Sequence, residues 1–456
     1  GLLNSGEQLA DKLAGIFSDE RPWGQLAHIA TDGETYGHHH QRGEMALSYA
    51  LKYIEENGLA ALTNYGEYLE RHPPAHEVQI YENSSWSCAH GVERWRSNCG
   101  CNTGGRPGWT QEWRAPLREA FDWLRDCVAP YFETKGSEYL KDPWAARDDY
   151  IDVILDRSPE SRERFFAKHA LRPLSGAGEI AALKLLELQR HAMLMYTSCG
   201  WFFDELSGIE TVQVIQYAGR VLQLAKELGG PDLEAPFLER LERARSNIPE
   251  HQNGRVIFEK FVRPAMVDLQ KVGAHYAIAS IFKNRPQQDR IYSYSVECKD
   301  SRLLKAGRAQ FSIGKLKITS EVTRESALVT YGVAHLGDHT VAGGVRAYLG
   351  ETQYRETIDR MAAVFRQGDF PELIRAVDRE FGPGTYSLKL LFRDEQRKIL
   401  RQILAASLEE AESAYRHIYE SHGGLARLLA SIGKRAPKSL EVAAEVTLNN
   451  DLRRAF

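Results

Sequence analysis

The chain has 456 residues, of which 43% are hydrophobic and 26% are charged, enough apolar material for two or three packed domains. Its 58 Lys and Arg residues are balanced by 62 Asp and Glu residues, so no excess of positive charge attracts nucleic acid or an anionic membrane. The N-terminal segment has the pattern of a polar amphipathic helix rather than a secretion signal, and the six cysteines lack a framework spacing. These features predict a cytoplasmic protein with reduced thiols and no membrane-spanning segment.

Residues 1–105 alternate between helical and strand patterns. Apolar residues at helical spacing predict a first helix around Leu9 and two more over residues 44–56 and 59–71. Short apolar segments at residues 26–30 and 77–81 predict buried strands. This alternation is typical of parallel strands joined by helical crossovers, as in an α/β barrel or an open sheet.

The rest of the chain divides into three parts. Residues 106–285 are helical almost throughout and predict a helical bundle. Residues 286–350 alternate or run apolar between glycine-containing turns, which predicts a small antiparallel sheet, and helices return over residues 351–456. The predicted strands are residues 291–296, 309–313, 316–318 and 328–336. The fold class is therefore α/β plus α.

The densest polar cluster, Thr-Asp-Gly-Glu-Thr-Tyr-Gly-His-His-His at residues 31–40, directly follows the first predicted strand. Loops after strand ends form the site face of α/β folds, so Asp32 is placed to act as a general acid/base. The structural alternative is that Asp32 forms an Asx turn or caps the following helix. Consecutive histidines cannot all face one point, which disfavours a metal here.

A second cluster, over residues 81–109, directly follows the second predicted strand and is rich in tryptophan. Trp86 and Trp95 lie among glycines and polar side chains, a mixture that suits stacking on a sugar ring while polar groups bind its hydroxyls. The alternative is ordinary packing, which we predict for Trp113 and Trp123. For Trp86 and Trp95 both interpretations stay open.

The same segment contains Cys88, His90, Cys99 and Cys101, which could form a zinc knuckle. However, the Cys-x-His and Cys-x-Cys spacings lack the usual gap of two residues. We therefore expect no bound metal and no cofactor.

A third cluster, over residues 195–208, interrupts the helical region with small residues, an aromatic triplet that includes Trp201, and two acids. It could complete a substrate cleft or form only an interdomain packing patch. In the β region, the polar segment at residues 335–339 is better explained as a strand end and turn than as a metal site.

Two of these strings resemble a known enzyme family. Residues 31–38, Thr-Asp-Gly-Glu-Thr-Tyr-Gly-His, resemble the fourth signature region of glycoside hydrolase family 57, an α-glucan-active family. Residues 84–91, Ser-Ser-Trp-Ser-Cys-Ala-His-Gly, resemble its fifth region, which ends in His-Gly. Essentially the whole chain is similar to a subgroup in which that catalytic domain is joined to a C-terminal domain of unknown function, number 3536.

The resemblance implies a (β/α)7 barrel, of which residues 1–105 would be the C-terminal part. It also implies a retaining glycosidase or transglycosylase that acts on an oligo- or polysaccharide of the α-glucan type without a metal. Asp32 would be the acid/base, one of two carboxylates about 5 Å apart. The residues expected to bind substrate are Glu34, His38, Trp86, His90, Trp95 and Trp201.

The family's first region and its nucleophilic Glu both precede the acid/base, whereas only 31 residues precede Asp32. We therefore expect an N-terminally truncated chain that is inactive by itself, since Glu7 and Glu20 lie on an ordinary helix and at its end. Two other hypotheses stay open. One is a metal-dependent deacetylase-like or mannosidase-like barrel enzyme that uses Asp32 and the histidines, and the other is a non-catalytic carbohydrate-binding protein.

Overall fold

The computed structural model describes residues 2–283, 285–337, 339–382 and 386–455. The chain forms two compact units, Gly1–Asn83 and Ser84–Phe456. The division lies earlier than residue 105, where the composition changes, because the loop after Asn83 is hydrogen-bonded to the helical part of the second unit.

The first unit contains three α-helices around a small apolar core. The core consists of Leu9, Ala10, Ala50 and Ile54. The third helix begins later than its apolar pattern predicts, because the side chain of Asn64 accepts a hydrogen bond from the backbone N–H of Glu67 and so caps the helix there. The helices are α1 (Gly6–Ala14), α2 (Gly43–Glu56) and α3 (Tyr65–Arg71).

The two strands predicted in the first unit do not form. Residues 26–30 and 77–81 are assigned to neither helix nor strand, and Val78 and Ile80 are 91% and 79% exposed. A strand requires a hydrogen-bonded neighbour, and the described part of this unit offers none. The apolar residues are present in both segments, but the prediction of parallel strands is wrong for residues 26–30 and 77–81.

The helical part of the second unit is built around two apolar cores. One surrounds Trp113, Phe121 and Phe237, and the other surrounds Phe132 and Tyr150. Its helices are α4 (Arg114–Gly136), α5 (Pro143–Asp149), α6 (Ile151–Leu155), α7 (Pro159–His169), α8 (Gly176–Leu194), α9 (Cys199–Phe202), α10 (Ile209–Glu227), α11 (Glu234–Leu241), α12 (Gly254–Ile257) and α13 (Leu269–Phe282). Within the part of the chain that the structure describes, no helix has the length and apolar character needed to cross a membrane.

A five-stranded antiparallel sheet follows, in the order β1-β2-β3-β4-β5, which confirms the predicted antiparallel sheet. The predicted strand 291–296 is divided by a turn at Tyr292, whose φ is +52°. The predicted strands 309–313 and 316–318 form one strand, because Gly314 continues the pairing with the neighbouring strand. At this position the Tyr331 side chain leaves no room for a Cβ. The strands are β1 (Gln288–Ile291), β2 (Tyr294–Ala306), β3 (Ala309–Ser320), β4 (Ser326–His335) and β5 (Val341–Ala347).

Helices cover both faces of the sheet. Helix α13 packs on strands β3–β5 on one face, and α14 and α15 pack on the other through residues such as Phe365 and Phe381. The helices predicted over residues 351–456 include one long helix that pairs with the last helix. These C-terminal helices are α14 (Glu351–Gln367), α15 (Phe370–Phe381), α16 (Arg393–Ser431) and α17 (Lys438–Ala455).

A pair of glycines sets how closely α15 approaches the sheet. Gly332 and Gly344 are partners across β4 and β5, and a Cβ at either would collide with the Phe381 side chain. We expect Gly344→Ala to lower the free energy of unfolding by about 1–3 kcal/mol, the usual cost of overpacking. Urea unfolding measures the change. Gly423→Ala is the control, because a Cβ there lies in a helix and meets nothing; equal effects of the two variants would contradict this packing.

Candidate functional site

The loop at residues 31–40 lies in the first unit and is organised by its own backbone. The N–H groups of His38 and His39 both donate to the carbonyl of Glu34, and that of His40 donates to the carbonyl of Thr35. Asp32, Glu34 and the three histidines are exposed. The loop therefore presents its carboxylates and imidazoles to solvent.

Asp32 stands at the N-cap position of a short 3-10 helix, Gly33–Thr35, but its side chain makes no capping hydrogen bond. Asp32 therefore does not cap this short helix through its side chain. Among the described residues, the loop's carboxylates and histidines do not converge into a group of three or more potential metal ligands.

The second unit contains a compact group of metal-binding residue types, which we call the Cys-His cluster (Cys88, His90, Cys99 and Cys101). The Sγ atom of Cys88 lies 3.9 Å from that of Cys99 and 3.8 Å from that of Cys101. The Sγ atom of Cys101 lies 3.5 Å from Nδ1 of His90. All four potential ligand atoms lie within 4.8 Å of one another.

Two tight turns bring these atoms together. Gly100, between two of the cysteines, has φ of +81°, a conformation that a residue with a Cβ rarely adopts. The backbone N–H of Cys101 then donates to the sulfur of Cys99, and the N–H of His90 donates to the sulfur of Cys88 in the same two-residue pattern. One intervening residue is therefore enough to bring two potential ligands together when the chain turns this sharply, in place of the usual two.

The same hydrogen bonds act on the thiols. Burial raises the pKa of Cys88, but N–H donors from His90 and Arg94 and the neighbouring thiols outweigh it and bring the pKa to about 7. Burial raises the pKa of Cys99. The Cys88 sulfur therefore becomes a thiolate more readily than that of Cys99.

Two buried arginines support the loop that carries the cluster. Arg94 is 4% exposed and donates to the carbonyls of Ser87 and Phe202. Arg114 is completely buried and donates to the carbonyls of Cys101 and Phe203. Burial lowers the pKa of Arg114 to about 10, so its guanidinium group is charged at neutral pH. Sequence patterns alone did not single out either arginine.

The third cluster anchors this loop rather than opening a cleft. The Asp204 carboxylate accepts hydrogen bonds from the backbone N–H groups of Thr103 and Gly105 and from the Thr103 hydroxyl. The neighbouring Glu205 carboxylate accepts from the Asn247 backbone and the Ser246 hydroxyl. The packing alternative is therefore the one that these two acids fulfil.

The predicted sugar-stacking tryptophans differ in exposure. Trp86 is 88% exposed and presents its indole to solvent. Trp95 is half-buried against the helical core, and its Nε1 has no hydrogen-bond partner among the described residues. Trp201 is 1% exposed, packs edge-on against Phe121 and donates from Nε1 to the carbonyl of Met195. Trp201 is therefore a core residue in this structure and has no face available for substrate.

The Nδ1 atom of His90 faces Cys101, while the residue as a whole is exposed, and its role in substrate binding stays a prediction. The remaining substrate-binding candidates, Glu34 and His38, stay exposed in the first unit. A surface groove between Pro159 and Leu174 in the second unit is lined by none of the predicted site residues.

Comparison with known proteins identifies the family but no activity. No curated protein matches the chain, and no solved structure matches it either. A family model described as "Domain of unknown function (DUF3536)" matches residues 109–392, which span the helical part from α4, the whole sheet, and helices α14 and α15. The chain therefore belongs to the DUF3536 family.

Proposed function

We propose that the chain is part of a retaining glycoside hydrolase or transglycosylase that acts on an α-glucan, with Asp32 as the general acid/base. The observation that carries the proposal is the state of Asp32: it occupies a capping position without forming the cap, and it is exposed. Its carboxylate is thus available for chemistry. The motif resemblance at residues 31–38 and 84–91 supplies the reaction class.

In the first step, a nucleophilic Glu attacks the anomeric carbon while Asp32 gives its proton to the departing glycosidic oxygen. In the second step, Asp32 removes a proton from water or from a sugar hydroxyl, which attacks the same carbon and releases the Glu. Glu34 and His38, in the same loop as Asp32, would bind sugar hydroxyls. Trp86 offers an exposed ring for stacking on a sugar.

Two further features support a barrel context and a cytoplasmic location. Residues 77–81 carry exposed apolar side chains at the alternate positions Val78 and Ile80, a pattern typical of a strand that pairs with other segments. All six cysteines are free thiols, in keeping with a reducing compartment.

The test is activity of the protein expressed from its complete reading frame, assayed on maltooligosaccharides and glycogen. We expect Asp32→Asn to lower kcat by about 10²–10⁴-fold, the usual contribution of a general acid/base. With an aryl α-glucoside whose phenol is acidic, Asp32→Asn should slow the bond-breaking step less, because this leaving group needs no proton. Azide should then restore turnover by attacking the glycosyl-enzyme without base assistance.

Asp19→Asn is the matched control, because Asp19 is another exposed carboxylate of the same unit outside the motif. It should leave kcat unchanged. Unaltered turnover in Asp32→Asn would overturn the assignment of Asp32. Saturable glucan binding without any product would instead favour a binding protein, and activity that requires an added divalent metal would favour the deacetylase-like alternative.

A further inference from the structure

We propose that the Cys-His cluster binds one zinc ion in a closed, tetrahedral, structural site. Three cysteines and one histidine form one of the standard ligand sets of structural zinc. The proposal is independent of the proposed reaction, since it concerns how the second unit holds its loop and not how a glycosidic bond is broken.

The distances within the cluster are those that zinc imposes. Zn–S bonds of about 2.3 Å and Zn–N bonds of about 2.0–2.1 Å, set at tetrahedral angles, place sulfur atoms about 3.8 Å apart and sulfur about 3.5 Å from nitrogen. Two of the three sulfur pairs lie 3.8 and 3.9 Å apart, and one of the three sulfur–nitrogen pairs lies 3.5 Å apart. The other pairs lie within 4.8 Å, so a single ion at the centre would bind all four residues after small side-chain shifts.

Other occupants fit less well. A disulfide needs sulfur atoms about 2.0 Å apart, and an odd number of thiols would leave one unpaired. The ligands of an iron–sulfur cluster are divided between at least two iron atoms, whereas here all four ligand atoms lie within 4.8 Å of one another. The backbone N–H donors to Cys88 and Cys99 are the outer contacts that orient and stabilise metal-bound thiolates.

The charge around the cluster gives a second, independent argument. Arg94 and Arg114 are 4% and 0% exposed, yet neither takes part in any ion pair formed by the described residues. Buried charges are normally paired. Zinc with three thiolates and a neutral imidazole carries a net charge of −1, and Arg114 donates to the carbonyl of Cys101 within the cluster. The metal site would supply negative charge beside the two arginines, in addition to that of the Asp204 carboxylate, which already interacts with Arg114.

A zinc ion would stabilise the loop at residues 84–105, whose composition provides little stability by itself. Few of its side chains are buried, and short segments of this kind are commonly held by a metal. Both ends of the loop would then be fixed: one by zinc at Cys88 and His90, and the other by Asp204 at Thr103 and Gly105. Trp86, two residues before Cys88, would be held on the protein surface by the same centre.

Metal content of the purified chain tests the proposal. After expression with zinc and gel filtration in chelator-treated reducing buffer, elemental analysis should find one zinc per chain. Cys99→Ser should lower this content at least tenfold. Cys199→Ser is the matched control, because Cys199 is an exposed thiol of the same unit outside the cluster, and it should retain one zinc.

A second pair of variants keeps the test independent of folding. His90 is exposed, so His90→Ala and His90→Cys should both fold. With cobalt(II) in place of zinc, the wild-type chain should show thiolate-to-cobalt charge transfer and the intense visible bands of tetrahedral coordination. His90→Cys should increase the charge transfer, and His90→Ala should weaken cobalt binding at least tenfold.

Three outcomes would overturn the proposal. The first is a folded wild-type chain without stoichiometric metal that also fails to bind cobalt. The second is zinc content unchanged in both Cys99→Ser and His90→Ala. The third is a disulfide between two cluster cysteines in the chain isolated under reducing conditions, shown by a thiol count two below the six cysteines of the sequence.

Discussion

Arg114→Met should lower the free energy of unfolding of the chain by about 2–4 kcal/mol. The guanidinium group is completely buried and donates to the carbonyls of Cys101, Phe202 and Phe203. Arg94 also donates to Phe202, so the variant leaves two part-buried carbonyls without this donor, each toward the lower end of the about 1–3 kcal/mol that an unpaired buried acceptor costs. Urea unfolding followed by tryptophan fluorescence measures the loss.

Arg243→Met is the control, because Arg243 forms an exposed ion pair with Glu119, at 61% and 67% side-chain exposure. Pairs of this kind contribute about 0–1 kcal/mol. Arg114→Lys adds a second comparison: it keeps the charge but loses the fork of donors, so its stability should fall between that of the wild type and that of Arg114→Met. A loss no larger than that of Arg243→Met would contradict the role given to Arg114.

The same variant links the arginine to the zinc centre. If Arg114 balances the negative charge of the metal-bound thiolates, its removal should cost more in the zinc-bound chain than in the Cys99→Ser chain. A double-mutant cycle of Arg114→Met and Cys99→Ser, with unfolding measured for all four proteins, isolates this coupling. Additive effects would mean that Arg114 stabilises the chain only through its hydrogen bonds to carbonyls and does not interact with the charge of the cluster.

The fold was predictable wherever a segment with an apolar pattern lies close in the sequence to the segment that pairs with it. The antiparallel sheet pairs neighbouring strands in order, so alternating apolar residues and glycine turns were sufficient to place it. The segments at 26–30 and 77–81 have the composition of strands, but strand formation depends on a neighbouring strand, which the described first unit does not provide. Gly314 shows the opposite error, because a glycine taken as a turn signal is instead required by the packing of Tyr331.

The candidate sites were predictable in composition but not in geometry. The sequence identified Cys88, His90, Cys99 and Cys101 as potential ligands and then disfavoured them on spacing, because a sharp turn at Gly100 is a property of φ and not of residue count. Trp201 was expected at a substrate surface from its aromatic neighbours. Its burial follows from long-range contacts such as that with Phe121, which no local pattern reveals.

Glu187→Gln should destabilise the chain by about 3 kcal/mol. Glu187 lies on helix α8 with 2% of its side chain exposed, and it accepts hydrogen bonds from the Tyr150 hydroxyl at 2.7 Å, from Arg157 at 3.0 Å and from Arg190 at 3.1 Å. Breaking a buried ion pair costs about 3–5 kcal/mol. We expect the lower end of that range because Arg157 and Arg190 keep 25% and 33% of their side-chain surface exposed to water.

The loss should depend on pH. Burial raises the pKa of Glu187, but the Tyr150 hydroxyl and the two guanidinium groups outweigh it, so the pKa lies below its ordinary value of 4.5. A carboxyl group whose folded pKa is depressed binds fewer protons in the folded chain than in the unfolded chain. Its contribution to stability is therefore fully present above about pH 4.5 and is lost as the pH falls through the folded pKa.

Unfolding free energies measured between pH 7 and pH 3 test this linkage. The wild type should lose stability more steeply on acidification than Glu187→Gln, whose amide does not titrate, so the difference between the two proteins should shrink as the pH falls. Glu163→Gln is the matched control, because Glu163 is an exposed carboxylate in the same helical part, and its substitution should change stability by less than about 0.5 kcal/mol. A difference that stays constant with pH would mean that Glu187 acts through shape and hydrogen bonding alone. In that case its charge would not be what holds α8 to the segment around Tyr150 and Arg157.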